Sequence, residues 1–182
     1  LSAANTYRGD TLVNQGTLRI GDGSGGGALT GSDLVTVADA GSLVVNSTAA
    51  SPLAPGASVE STGSIEFLNA SAGSASYRVT GSDAASSPLV FRGTADAGDA
   101  MISGIGNPYY YSTGALVRFE DNAHAGTATI YVKGDYSLVA FRGSSSAGEA
   151  EILMADYAPL VFEEQASGGR AAVTLRDATG LL

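Results

Sequence analysis

Large apolar residues recur along this chain in triplets whose middle position varies freely. Ile65-Glu66-Phe67, Leu89-Val90-Phe91, Val117-Arg118-Phe119, Val139-Ala140-Phe141 and Leu160-Val161-Phe162 all read apolar, variable, apolar. Residues two apart share one face of a strand, so each triplet predicts a short strand with its outer two side chains inward. The third place of the triplets holds all five phenylalanines, Phe67, Phe91, Phe119, Phe141 and Phe162, spaced 24, 28, 22 and 21 residues apart. Ile20 and Val45 stand at the same place in two layers upstream. After each Phe comes a glycine corner that leads into a second strand. It reads Ala97-Gly98-Asp99-Ala100-Met101-Ile102, with counterparts from Ala72, Ala125, Ala147 and Gly168. Ala75, Ala100, Ala128, Ala150 and Ala171 are expected to point into a narrow interior.

Self-similarity at a fixed period in the twenties is the mark of a solenoid, each repeat forming one layer of a stack. Strands that recur in one direction pair in parallel with their copies a layer away. The prediction is an all-β chain, a parallel β-helix of about seven layers of 21–28 residues. An α-solenoid would need apolar spacing of i, i+3, i+4, and the period here is two. A β-sandwich is the competing arrangement for regular short strands. The outward positions support the stacked register. The residues after the phenylalanines run Arg92, Glu120, Arg142, Glu163, and Glu149 is followed a layer later by Arg170. Opposite charges on stacked strands attract and like charges repel.

Composition narrows the function classes. The net charge is −9, with one lysine, Lys133, and eight arginines, and only 15% of residues are charged. Phosphate recognition needs clustered positive charge, so neither a nucleic acid nor an anionic membrane surface is expected as a partner. No cysteine is present, which removes disulfides and thiolate metal sites. No apolar run reaches the roughly 18 residues of a membrane-spanning helix. Leu1 opens the chain, and Gly180-Leu181-Leu182 resembles the opening of a layer at Gly114-Ala115-Leu116-Val117. The 182 residues are therefore expected to be a single β-helix segment, an excised or processed piece of a longer protein.

The segment Asn5-Thr6-Tyr7-Arg8-Gly9-Asp10-Thr11-Leu12-Val13-Asn14-Gln15-Gly16-Thr17-Leu18-Arg19-Ile20-Gly21 resembles the passenger-associated repeat of bacterial autotransporters. That pattern opens on Asn-Thr-Tyr-x-Gly and closes on Gly-Thr-Leu-x-x-Gly. Gly41-Ser42-Leu43-Val44-Val45 and Gly63-Ser64-Ile65-Glu66-Phe67 echo its second half. The resemblance covers residues 3–67; beyond them only layer length, glycine corners and scarce lysine agree. It implies a right-handed parallel β-helix, secreted or held at the surface of a Gram-negative-type bacterium. It implies attachment to the outer membrane only through a separate C-terminal barrel, which this chain lacks. Members of that family share a scaffold and include adhesins, self-associating proteins and enzymes, so activity does not follow from membership.

Candidate chemistry falls in three places. Two residues before the corner glycines stand Ser71, Asp96, His124, Ser146 and Ser167. The register stacks Asp96, His124 and Ser146 on successive layers, the residue types of a nucleophilic triad. Ser and Asp also belong at turns for local backbone hydrogen bonds, and that reading is favoured. Gly21-Asp22-Gly23-Ser24-Gly25-Gly26-Gly27 lacks the Lys-Ser/Thr of a phosphate loop and the repeated spacing of calcium β-rolls, and reads as a loop. The adjacent acids Glu120-Asp121 and Glu163-Glu164 read as solvated turns. The third place is residues 104–114, a predicted protruding loop in the longest layer. It carries Asn107, Tyr109, Tyr110 and Tyr111, and three consecutive tyrosines cannot all face a core. Exposed tyrosines supply amphipathic contact area for glycans or proteins. Tyr136 and Tyr157, five residues before their phenylalanines, are expected to form a short structural ladder.

The expected function is that of a structural or adhesive segment, non-catalytic and without cofactor or metal. It would act as a stiff spacer with a surface glycan or protein as ligand. The alternative is an extracellular fibre subunit that self-associates through its β-helix ends, where strand edges lie open. A polysaccharide-active enzyme ranks third, for want of a clustered set of carboxylates.

Overall fold

A computed structural model of the chain describes residues 1–81, 87–107 and 114–176. Among the described residues all regular elements are strands: Ala4–Asn5 (β1), Thr11–Ile20 (β2), Ala28–Leu29 (β3), Leu34–Val45 (β4), Ser58–Ser61 (β5), Ser64–Leu68 (β6), Ser76–Thr80 (β7), Ser87–Arg92 (β8), Met101–Ile105 (β9), Ala115–Phe119 (β10), Thr129–Lys133 (β11), Leu138–Phe141 (β12), Glu151–Ala155 (β13), Leu160–Phe162 (β14) and Ala172–Arg176 (β15). The ladders between them are parallel, and they run in two directions from β4. Ser42–Val45 of β4 begins the path β6-β8-β10-β12-β14, the phenylalanine side. Leu34–Val37 begins the path β5-β7-β9-β11-β13-β15, the isoleucine side. β2 and β4 are long because each rounds the corner between the two sides; their ladder skips a residue between Val13 and Gln15. A third side carries single parallel bridges, among them Ser71 to Asp96 to His124 to Ser146 to Ser167. The chain is a parallel β-solenoid of about seven turns.

The core is a set of columns that run through the layers. Phe67, Phe91, Phe119, Phe141 and Phe162 are direct ladder partners, with Ile20 and Val45 continuing the column. Successive rings lie 5.1, 4.7, 4.7 and 5.0 Å apart and within 10° of parallel. Parallel strands in register repeat every ~4.8 Å, so identical rings have no other way to pack. The first four are fully buried, whereas Phe162, on the last layer of its side, is 39% exposed. From the other sheet the column Val35, Val59, Tyr77, Ile102, Ile130, Ile152 faces them, and Tyr77 meets Phe67 edge-on at 5.5 Å. The Tyr77 hydroxyl donates to the Ala72 carbonyl at 2.9 Å, and burial pushes its phenol pKa up.

Rings that fill the interior leave room only for small residues on the third side. Ala70, Ala95, Ala123 and Ser145 line it, beside Ala72, Ala97, Ala125 and Ala147 and the predicted Ala75, Ala100, Ala128 and Ala150. The predicted second strands begin later than their sequence pattern. Ala97–Ala100 is a turn closed by the Ala100 N–H on the Ala97 carbonyl at 3.1 Å, and β9 starts only at Met101. Two constraints require glycine in that turn. Gly73, Gly98, Gly126, Gly148 and Gly169 have φ between +58° and +67°, and a Cβ on Gly126 would lie 2.8 Å from the Gly98 carbonyl below.

A second turn, two residues past each Phe, is also left-handed, with Asn69, Gly93, Asp121, Gly143 and Glu164 at φ between 51° and 69°. The non-glycine members offset that cost by capping the neighbouring layer. Asp121 accepts from the Gly93 N–H and Glu164 from the Gly143 N–H, both at 2.9 Å, and Asn69 accepts from the Thr94 N–H at 3.0 Å.

Candidate functional site

The third side brings Asp96, His124 and Ser146 together on successive layers, bridged through their backbones. The His124 Nδ1 and the Asp96 Oδ1 lie 3.1 Å apart. The same Asp96 oxygen accepts from the Gly98 N–H at 2.7 Å. Ser146 does the equivalent work one layer beyond His124, its Oγ accepting from the Gly148 N–H at 3.1 Å; Ser71 and Ser167 repeat this on Gly73 and Gly169. Among the described residues no hydrogen bond joins His124 to Ser146. A nucleophile needs its base within about 2.6–3.2 Å. His124 is also half-exposed, so water screens the dyad. The column is therefore a ladder of side-chain-capped turns, and its hydroxyls and carboxylate face the glycine that follows them.

The acidic pairs are held in the same structural way. Arg92 bridges Glu66 and Glu120 at 3.3 and 3.2 Å, and Arg142 meets Glu163 at 2.6 Å. Arg170 reaches Glu149 at 3.6 Å. The predicted alternation of charge is thus made of real neighbours, each exposed pair contributing about 0–1 kcal/mol. Asp121 and Glu164 are the turn caps described above. A shallow hollow of about 250 Å³ between Glu120, Asp121, Arg142 and Glu164 is walled by groups already paired. In the glycine-rich loop, Asp22 accepts from the Ser24 N–H at 2.9 Å and from the Ser24 hydroxyl at 2.8 Å. Those bonds hold its carboxyl below the usual range. Among the described residues no three His, Cys, Asp or Glu side chains gather as a metal site.

The tyrosine segment divides. Gly104 and Ile105 belong to β9, and Gly106 and Gly114 are buried, so the predicted 104–114 loop is anchored in the stack at both ends. Asn107 is half-buried where that anchor finishes. Tyr109, Tyr110 and Tyr111 lie outside the described residues. Tyr136 and Tyr157 stand on the outside of the solenoid, 57% and 64% exposed, with φ of 62° and 64°.

The feature that the sequence reading did not name by residue is the apolar surface at the two ends. Among the described residues β15 pairs only with β13 and β14 only with β12. Phe162, Val173 and Leu175 are left 39%, 46% and 71% exposed around a hollow of about 500 Å³. At the opposite end β4 is the one strand paired with β2 among the described residues, Leu1 bonds the outer edge of β2 at Arg19 and Gly21, and Leu1, Tyr7, Leu12, Val13 and Leu18 line a hollow of about 480 Å³. Open columns are what a stack must show at its ends, so the alternating pattern alone could have located them. Comparisons of the chain with protein-family models, with curated proteins and with solved structures return no match.

Proposed function

We propose that this chain is a structural and adhesive segment of a secreted or cell-surface bacterial protein, a stiff spacer that holds a contact loop away from its anchor. The observation that carries the reading is the uninterrupted column of stacked phenylalanine rings from Phe67 to Phe162. A core continuous through every layer resists bending, because each layer is packed on both neighbours. The sides are engaged in the same task. Their charges pair between layers and their turn residues cap one another. The resemblance of residues 3–67 to autotransporter passenger repeats supports export to the surface of a Gram-negative-type cell. Contact with a glycan or protein is assigned to Asn107 and to the three consecutive tyrosines Tyr109–Tyr111, a residue type that supplies amphipathic contact area.

The test is a glycan and protein array probed with the parent chain and with a Tyr109→Ser, Tyr110→Ser, Tyr111→Ser variant. The expected result is a ligand bound at least tenfold more weakly by the variant, with an unchanged circular dichroism spectrum. Equal binding by both proteins, or cleavage of an array glycan, would overturn the reading.

A further inference from the structure

Two tyrosines occupy backbone positions that ordinarily belong to glycine or asparagine. Tyr136 has φ 62° and Tyr157 φ 64°. Each stands third in a four-residue turn. The Ser137 N–H closes one turn on the Gly134 carbonyl, and the Ala158 N–H closes the other on the Ala155 carbonyl, both at 3.2 Å. A positive φ at the third place of a turn favours Gly or Asn, because a Cβ there crowds the following carbonyl. Asn69, Asp121 and Glu164 share that conformation, and their side-chain oxygens offset its cost by capping a neighbouring layer. A phenol carries its hydroxyl too far from its own turn to do the same.

The two turns lie in consecutive layers at one corner of the solenoid. Lys133 and Ala155 are partners on the strands that enter them, and Val139 and Leu160 on the strands that leave. Each tyrosine stands three residues before that second pair, so the two are one layer apart, ~4.8 Å along the axis. Phenylalanines at the same spacing stack ring on ring. Among the described residues no ring contact joins Tyr136 to Tyr157, so the tyrosine ladder expected from the sequence does not form. The side chains are instead 57% and 64% exposed. Backbone strain that gains so little packing is the kind that marks a functional position.

We propose that the turns Asp135-Tyr136 and Asp156-Tyr157 form one binding site for a neutral saccharide chain. A sugar presents a face of C–H groups and a rim of hydroxyls. The exposed tyrosine rings take the first, and the carboxylates beside them accept hydrogen bonds from the second. A pyranose unit is about as long as one layer is thick, so consecutive units meet consecutive rings. Among the described residues, Lys133 and Arg176, at the ends of β11 and β15, balance Asp135 and Asp156, so the corner offers an anionic chain no net attraction. In its ligand class the site rests on the glycan reading above, but it is built of other residues and does not need Tyr109–Tyr111.

Calorimetric titration with cellohexaose and with N-acetylchitohexaose is the test, with hexagalacturonate as the anionic control. The parent chain is expected to bind at least one neutral hexasaccharide, and hexagalacturonate at least tenfold more weakly. The variant Tyr136→Asn, Tyr157→Asn is expected to lose at least tenfold in affinity. It should melt at the parent's temperature or above, because Asn tolerates the left-handed turn. The variant Tyr109→Ser, Tyr110→Ser, Tyr111→Ser should bind the hexasaccharide as the parent does. A parent chain that binds neither neutral hexasaccharide, or prefers the anionic one, would overturn the site. A double Asn variant that binds undiminished, or melts below the parent, would overturn it as well, since the rings would then be structural. Loss of the hexasaccharide confined to the triple Ser variant would overturn the site and leave the assignment to Tyr109–Tyr111 standing. If the double Asn variant loses the hexasaccharide while the triple Ser variant keeps every array ligand, the site stands and that assignment fails.

Discussion

Phe119→Ala is the perturbation that interrogates the core most directly. The Phe119 ring is fully buried and stacked at 4.7 Å on both Phe91 and Phe141. Truncating a buried Phe to Ala costs about 3–5 kcal/mol, from lost transfer energy and from the cavity left behind. The neighbouring layers cannot collapse into that cavity, because their spacing is set by backbone ladders, so the upper half of the range applies, about 4–5 kcal/mol. Phe162→Ala is the internal standard. Its ring is 39% exposed and has one stacked neighbour at 5.0 Å, which puts its cost at about 1–2 kcal/mol. Equilibrium urea unfolding followed by circular dichroism reads both. With the m-value unchanged, the midpoint shift gives the difference directly. In thermal unfolding the Phe119 variant should melt about 8–20 °C below the parent, at 2–4 °C per kcal/mol for a chain of this length. If the two variants lose the same stability within about 1 kcal/mol, the phenylalanine column is not a two-sided stack and the reasoning fails.

Two further outcomes follow from single side chains. Ser145 is fully buried among alanines, and among the described residues its hydroxyl has no partner; Ser145→Ala should therefore raise stability by about 1 kcal/mol, seen as a higher urea midpoint, and a loss of stability would mean that the hydroxyl is bonded. Tyr77→Phe should cost about 1 kcal/mol at neutral pH through the bond to the Ala72 carbonyl. Because burial raises the folded phenol above its ordinary value of 10.0, the parent's stability is whole below that pH and falls as the pH rises through it. The Tyr77→Phe variant should decline less steeply there, by up to about 1.4 kcal/mol per pH unit, in urea titrations at increasing pH.

The column of Asp96, His124 and Ser146 shows how far the sequence could be read. Spacing alone placed Asp96, His124 and Ser146 on consecutive layers, and the bridges join them so. It could not say where the Ser146 hydroxyl points. That depends on the left-handed glycine two residues on, which presents its N–H to the Oγ. The turn after each Phe was harder still. Asn69, Gly93, Asp121, Gly143 and Glu164 look unrelated as residue types, and only their shared positive φ makes them one position. Two of the three alanine columns were missed for a similar reason, since nothing local marks Ala95 or Ala123 as facing a stack of rings.

By itself the sequence determined the period, the inward faces and the register. Side chains two apart must share a face, and a residue repeated every layer must meet its own copy. Only the tertiary structure decided what the turns do, which acids are bound up in caps and ion pairs, and where apolar surface remains. Those depend on contacts between residues about twenty positions apart, and they exist only once the layers are stacked. The same stacking leaves Val173 and Leu175 exposed at one end and Leu12 at the other. A repeat satisfies its faces through its neighbours, which is why the two most exposed large apolar side chains of the described residues stand in the outermost described layers.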